Sequence, residues 1–136
     1  MKAKCISNNG NGLLKTTIEY TGDSEKSIYP LKEGEVYTIY GQIIYKNVLK
    51  YLILGSYENL PSWYPAELFE IVDTSLHFEW YFNSYPTEDI SAVWGFKELV
   101  NDLEFLDELI DREDSAIRIF LLRKKEIDEF CEKFSM

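Results

Sequence analysis

The sequence predicts an α+β fold, a small, strongly bent antiparallel β-barrel followed by two C-terminal amphipathic helices. Three observations predict it. Residues 31–73 read as short strand-like runs separated by turn signals: an alternating run over 36–45, the apolar Tyr51-Leu52-Ile53-Leu54, and Phe69-Glu70-Ile71-Val72. Beyond Pro86 the apolar spacing becomes helical, at Phe96, Leu99, Val100, Leu103, Leu106 and Ile110. The 136 residues, 46% hydrophobic and 15% aromatic, suit one ordered core and exclude a disordered chain. The expected division is a barrel with an extra edge strand over 1–85 and a helical hairpin packed on it over 86–136, the two forming one structural unit.

Residues 2–7 read as a first strand, with Ala3 and Cys5 facing inward. Asn8-Asn9-Gly10-Asn11-Gly12 is a dense turn signal, because Asn and Gly tolerate positive φ. It matches neither G-x-G-x-x-G nor a phosphate loop followed by Gly-Lys-Ser/Thr. Residues 13–20 are weakly strand-like, and 21–27 form a polar surface loop. Lys32-Glu33-Gly34-Glu35 reads as a tight turn with Gly34 at positive φ. Tyr37 and Ile39 then share one face of a strand, with Val36, Thr38 and Tyr40 on the other, and Gly41 marks a bend. Lys46-Asn47 is the hairpin turn to a strand over 48–54. Residues 55–62 are a loop with Tyr57 near its tip, and Trp63-Tyr64-Pro65 with Ala66-Glu67-Leu68 reads as an irregular or 3₁₀ turn. Phe69 and Ile71 share the inner face of a last barrel strand. Residues 76–82 form an extra edge strand.

Thr87-Glu88-Asp89 reads as a helix N-cap with first-turn acids. Asp111-Arg112-Glu113-Asp114-Ser115 breaks the helical stretch. Ala116, Phe120, Ile127, Cys131 and Phe134 supply a second stripe, which completes an αα-hairpin.

The formal net charge is −10. Residues 87–136 hold seven Lys/Arg against fourteen Asp/Glu and so carry −7 of it. Phosphate binding needs clustered cations, so nucleic acid is excluded as a direct partner, whereas a basic protein is favoured. No apolar run approaches the ~20 residues that span a bilayer, which excludes a membrane-spanning role. Met1-Lys2-Ala3-Lys4-Cys5 leads into polar sequence, which predicts no signal peptide. Cys5 and Cys131 follow no spacing motif and read as free thiols of a cytoplasmic protein.

Catalytic signals are sparse. His77 is the sole histidine and lies in an aromatic run with no marked nucleophile nearby; neither G-x-S-x-G nor C-x-x-C occurs. Two Cys and one His do not make a zinc set. The acids around Asp107-Glu108 and residues 111–114 lack the glycine and closing Glu of a calcium loop. No cofactor or metal is expected.

Gly34-Glu35-Val36-Tyr37-Thr38-Ile39 and Pro65-Ala66-Glu67-Leu68-Phe69 resemble the G-E-x-φ-x-φ strand and the later P-x-x-φ-φ run of SH3 domains. That resemblance implies an SH3-like barrel. Leu68 stands where the family has a groove tyrosine, and no Trp opens the strand over 48–54, so the proline-peptide groove is incomplete. The whole chain, with its Trp63-Tyr64-Pro65-Ala66-Glu67-Leu68-Phe69-Glu70-Ile71-Val72-Asp73 run, resembles a group of uncharacterised small bacterial proteins. Some acidic proteins of this size are similar to immunity proteins that neutralise toxins, which implies a toxin as the basic partner.

The functional expectation is a non-catalytic cytoplasmic protein-binding module that masks a basic protein, as an immunity-type inhibitor would. Asp102, Glu104, Asp107, Glu108, Asp111, Glu113 and Asp114 are its candidate partner-binding acids, with Trp63 and Tyr57 as aromatic anchors. Two alternatives stand beside it. Ile117, Ile119, Phe120, Leu121 and Leu122 run nearly around their helix, which suits a structural or regulatory homo-oligomer such as a homodimer. A small enzyme would need a pocket with perturbed acids.

Overall fold

Two hydrophobic cores meet at one strand, β4 (Val48–Leu54). Its alternation sends Tyr51 and Ile53 into one core and Leu52 into the other. The computed structural model describes residues 1–56, 59–76, 79–85 and 89–134. The remaining strands are β1 (Lys2–Cys5), β2 (Val36–Thr38), β3 (Gly41–Tyr45), β5 (Pro61–Pro65), β6 (Phe69–Asp73), β7 (Tyr81–Ser84) and β8 (Ile90–Gly95). The helices are α1 (Lys15–Thr21), α2 (Lys97–Asn101), α3 (Leu103–Ile110) and α4 (Asp114–Phe134), with 3₁₀ turns at Gly10–Gly12 and Ala66–Leu68.

The strands form two antiparallel sheets, ordered β2-β1-β6 and β5-β4-β3-β8-β7. The chain passes between them at Ile39 and Tyr40. Ile39 N–H donates to the Met1 carbonyl and Tyr40 N–H to the Leu52 carbonyl, each at 2.9 Å. Ile39 is buried in the first core and Tyr40 in the second. The first core (Ala3, Cys5, Leu31, Tyr37, Ile39, Tyr51, Ile53, Tyr64, Leu68, Phe69) lies between the sheets. The second lies between the five-stranded sheet and the helices, around Leu99, Val100, Phe105, Leu106, Leu109, Ala116, Phe120 and Ile127. Gly41 permits that packing, since a Cβ there would fall 2.3 Å from Leu99 Cδ2.

Several turns form as their residues dictate. Lys46 (φ 48°) and Asn47 (φ 64°) both occupy the left-handed region, the geometry that matches a two-residue hairpin to strand twist. Gly34 sits at φ 87°, and α4 starts after the break at residues 111–113.

Other expectations need correction. The two sheets do not close on one another as a single barrel. Residues 15–21 are helical rather than extended. Thr16, Thr17 and Ile18 favour a strand locally, but Glu67 from the 3₁₀ turn accepts the Thr17 hydroxyl and, at 3.4 Å, the Leu14 N–H. That contact pins the start of α1, and Gly22 at φ 77° ends it. The segment expected to be helical from Thr87 instead forms strand β8 at Ile90–Gly95, between β3 and β7. The expected cap, Thr87-Glu88, and the side chain of Phe134 lie outside the described residues.

The single first helix is two, α2 and α3. Asp102 is extended (φ −132°, ψ 97°) and caps α3 by accepting the Phe105 N–H at 3.1 Å. This break rotates the helical phase. Phe105, Leu106 and Leu109 therefore face inward, while Leu103 and Ile110, expected on the buried stripe, are 41% and 56% exposed. Ile71, expected on the inner wall, is also exposed, at 37%. The edge strand is β7, which begins only at Tyr81; Leu76, Glu79 and Trp80 lie outside it.

Candidate functional site

An α-helix turns 100° per residue, which places Glu104, Asp107, Glu108 and Asp111 on one arc of α3. The opposite arc holds the buried Phe105, Leu106 and Leu109. Glu104, Asp107 and Asp111 are exposed and Glu108 is half-buried. Leu103 and Ile110 flank the acidic arc, so it runs beside apolar surface. Glu113 and Asp114 are exposed at the turn into α4, where Asp114 occupies the first helical residue. Asp102 is exposed but already engaged as the α3 cap. Among the described residues no group of three or more Cys, His, Asp or Glu could hold a metal ion.

The aromatic candidates divide. Tyr57 lies outside the described residues, as does His77. Trp63 is in β5 rather than on a loop. It pairs with Leu52 of β4 and points toward the helical layer. Half-buried there, it forms part of a cleft of about 310 Å³ between the five-stranded sheet and the end of α3. Ile43 and Tyr45 of β3, Lys50 and Leu52 of β4, and Pro61 and Trp63 of β5 line it by strand alternation. Leu109, Ile110 and Arg112 close it from above.

Charge in this cleft opposes that of the whole chain. Among the described residues, its charged lining is Lys50 and Arg112. Burial lowers the Lys50 ammonium pKa, partly offset by the more distant carboxylates of Asp23 and Glu67. Its Nζ lies 5.9 Å from the Tyr45 ring centroid. Arg112, at φ 58°, reaches back to donate from Nη2 to Ser62 Oγ at 3.0 Å. Trp63 Nε1 is buried and has no hydrogen-bond acceptor among the described residues. Sequence spacing could have flagged the cleft only through Lys50, the one charge in the otherwise apolar β4. Arg112 gave no sign, because its turn had to be folded back onto β5.

No protein-family model, curated protein or solved structure matches this chain.

Two polar ties fasten the helices. Arg123 of α4 grips Glu98 of α2 bidentately, with Nε–Oε1 and Nη2–Oε2 both 2.7 Å. The Arg123 hydrogen bonds hold the Glu98 pKa below its ordinary range. The Tyr40 hydroxyl donates to Asp128 at 2.8 Å, and Lys124 pairs with the same carboxylate at 2.6 Å. Both cysteines are free, and burial raises the Cys5 thiol pKa. No helix among the described residues is long and apolar enough to cross a membrane.

Proposed function

We propose that this chain is a non-catalytic cytoplasmic module that binds a basic protein through the outer arc of α3, as an immunity-type inhibitor masks a toxin. The observation that carries this reading is the pairing on one exposed helical arc of acids (Glu104, Asp107, Glu108, Asp111) with uncovered apolar side chains (Leu103, Ile110). Carboxylates speed encounter with a basic surface, and desolvated apolar anchors supply the affinity that exposed charges alone do not. Glu113 and Asp114 extend the negative surface, whereas Asp102 serves the helix as its cap. The strand plan supports an opened SH3-like barrel as the scaffold. Its features are β1 held between β2 and β6, a chain that bends from one sheet to the other at Ile39–Tyr40, and a 3₁₀ turn ahead of β6.

The test is affinity capture from the native cell, followed by binding kinetics with the captured partner. A basic partner is expected, with an association rate that falls steeply as salt rises. The double reversal Glu104→Lys and Asp107→Lys should slow association by roughly tenfold at low salt. Recovery of no basic partner would end this reading. A second reading, a homodimer through α4, is favoured by Leu121 and Leu122, 47% and 55% exposed. Sedimentation at several concentrations decides it, and a strict monomer removes it.

A further inference from the structure

Beyond the protein-binding face lies the cationic cleft beneath the end of α3, and we infer that it is a binding site for a small apolar carboxylate. Three independent features converge there. The cleft lies at the lower end of the size range of small-molecule sites, with Ile43, Leu52, Leu109 and Trp63 forming its apolar surface. A cation half-buried on that surface, Lys50, makes no ion pair among the described residues, and the Asp23 and Glu67 carboxylates only partly offset the cost of desolvating its ammonium. The indole Nε1–H of Trp63 is a buried donor with no acceptor among the described residues, and native folds rarely leave one so.

A carboxylate answers these features together. It has lone pairs for an ammonium and for a ring N–H, and Arg112 at the mouth adds a second positive charge. Tyr45 and Trp63 offer ring surface to the ligand's apolar body. The strongly acidic exterior sharpens the selection. Anions are repelled from most of this molecule, and binding energy must come from within the cleft. Lys50 supplies the charge attraction, Trp63 the orienting donor and Arg112 the closing contact.

The probe is 1-naphthoate, titrated into the full-length chain labelled with ¹⁵N and followed at the indole N–H resonances. The chain has three tryptophans, and Trp63→Phe identifies the resonance of Trp63 by its disappearance. A saturable shift of that resonance is expected. Lys50→Gln and Arg112→Gln should each weaken binding by roughly tenfold, and Lys50→Arg should retain it. The neutral isostere 1-naphthalenemethanol should bind at least tenfold more weakly than the acid. Equal affinity for the alcohol, an unchanged Kd in folded Lys50→Gln and Arg112→Gln, or no Trp63 shift at millimolar naphthoate would each overturn the assignment. Because Arg112 is exposed, its variant keeps the test open even if Lys50→Gln fails to fold.

Discussion

The two cores on either side of β4 are closed in different ways. Between the sheets, the polar closure is a hydroxyl network. Tyr37 Oη accepts the Lys32 N–H at 2.8 Å and meets Ser56 Oγ, which donates to Glu35 at 2.6 Å. Under the helices, closure is ionic: Glu98 with Arg123, and Asp128 with Lys124 and the Tyr40 hydroxyl. Both cores share a strand, and a strand cannot lose one face and keep the other ordered at no cost. Sensitivity to acid should therefore concentrate in the helical layer, while loss of packing should propagate through β4 to both.

The largest effect tests that propagation. Phe120 is fully buried against Tyr40 and Phe96, with ring centroids 5.4 Å and 6.5 Å away. Phe120→Ala should cost about 3–5 kcal/mol. Far-ultraviolet circular dichroism, which reads the helices, and near-ultraviolet signals from the sheet tyrosines should still report one coincident transition. Separate transitions would show that the cores unfold independently and break the comparison.

A smaller effect sharpens the contrast in pH. The Glu98 pKa is depressed in the folded chain, so its pairing contributes fully above the unfolded value. That contribution is lost as pH falls through the folded value. Arg123→Met should destabilise the chain by about 1–3 kcal/mol at neutral pH. It should also flatten the loss of stability below the ordinary Glu value of 4.5. Denaturant midpoints measured from pH 7 to pH 3 check both parts; an unchanged acid slope would remove Glu98 as the ionic tie.

The smallest effect concerns the helix break. Asp102→Ala removes the α3 cap and should cost about 1 kcal/mol. If Asp102 also touched the basic partner, the variant would weaken binding beyond this loss of stability. Equal binding at saturating folded fraction is expected, since its carboxylate is engaged with Phe105 N–H.

The strand side of the molecule was largely readable because its signals are local. Gly34, Lys46-Asn47 and the alternation at Tyr37 and Ile39 set turns and faces within a few residues. The helical side was less so. Leu103 and Ile110 fit a buried stripe until one extended residue, Asp102, shifts the phase. The Thr87-Glu88-Asp89 cap signal points to helix over residues 90–95, although Ile90, Val93 and Trp94 favour a strand, and β3 and β7 flank them as strand neighbours. The acidic arc of α3 was visible as composition, whereas the separation of Asp102 from it was not. The cleft was hidden for the same reason, since its two cations come from β4 and from a turn sixty-two residues later.

By itself the sequence determined the mixed α+β composition, the hairpin turn at Lys46-Asn47, the shared inward face of Tyr37 and Ile39, the second helical stripe and the concentration of negative charge after residue 86. These follow from backbone sterics and from periodicity, which act over short spans. Tertiary structure alone decided the helix at residues 15–21, the splitting of one helical stripe into α2 and α3, and the meeting of Lys50, Trp63 and Arg112. Each is an outcome in which a weak local preference yielded to burial or hydrogen bonding with residues distant in the chain.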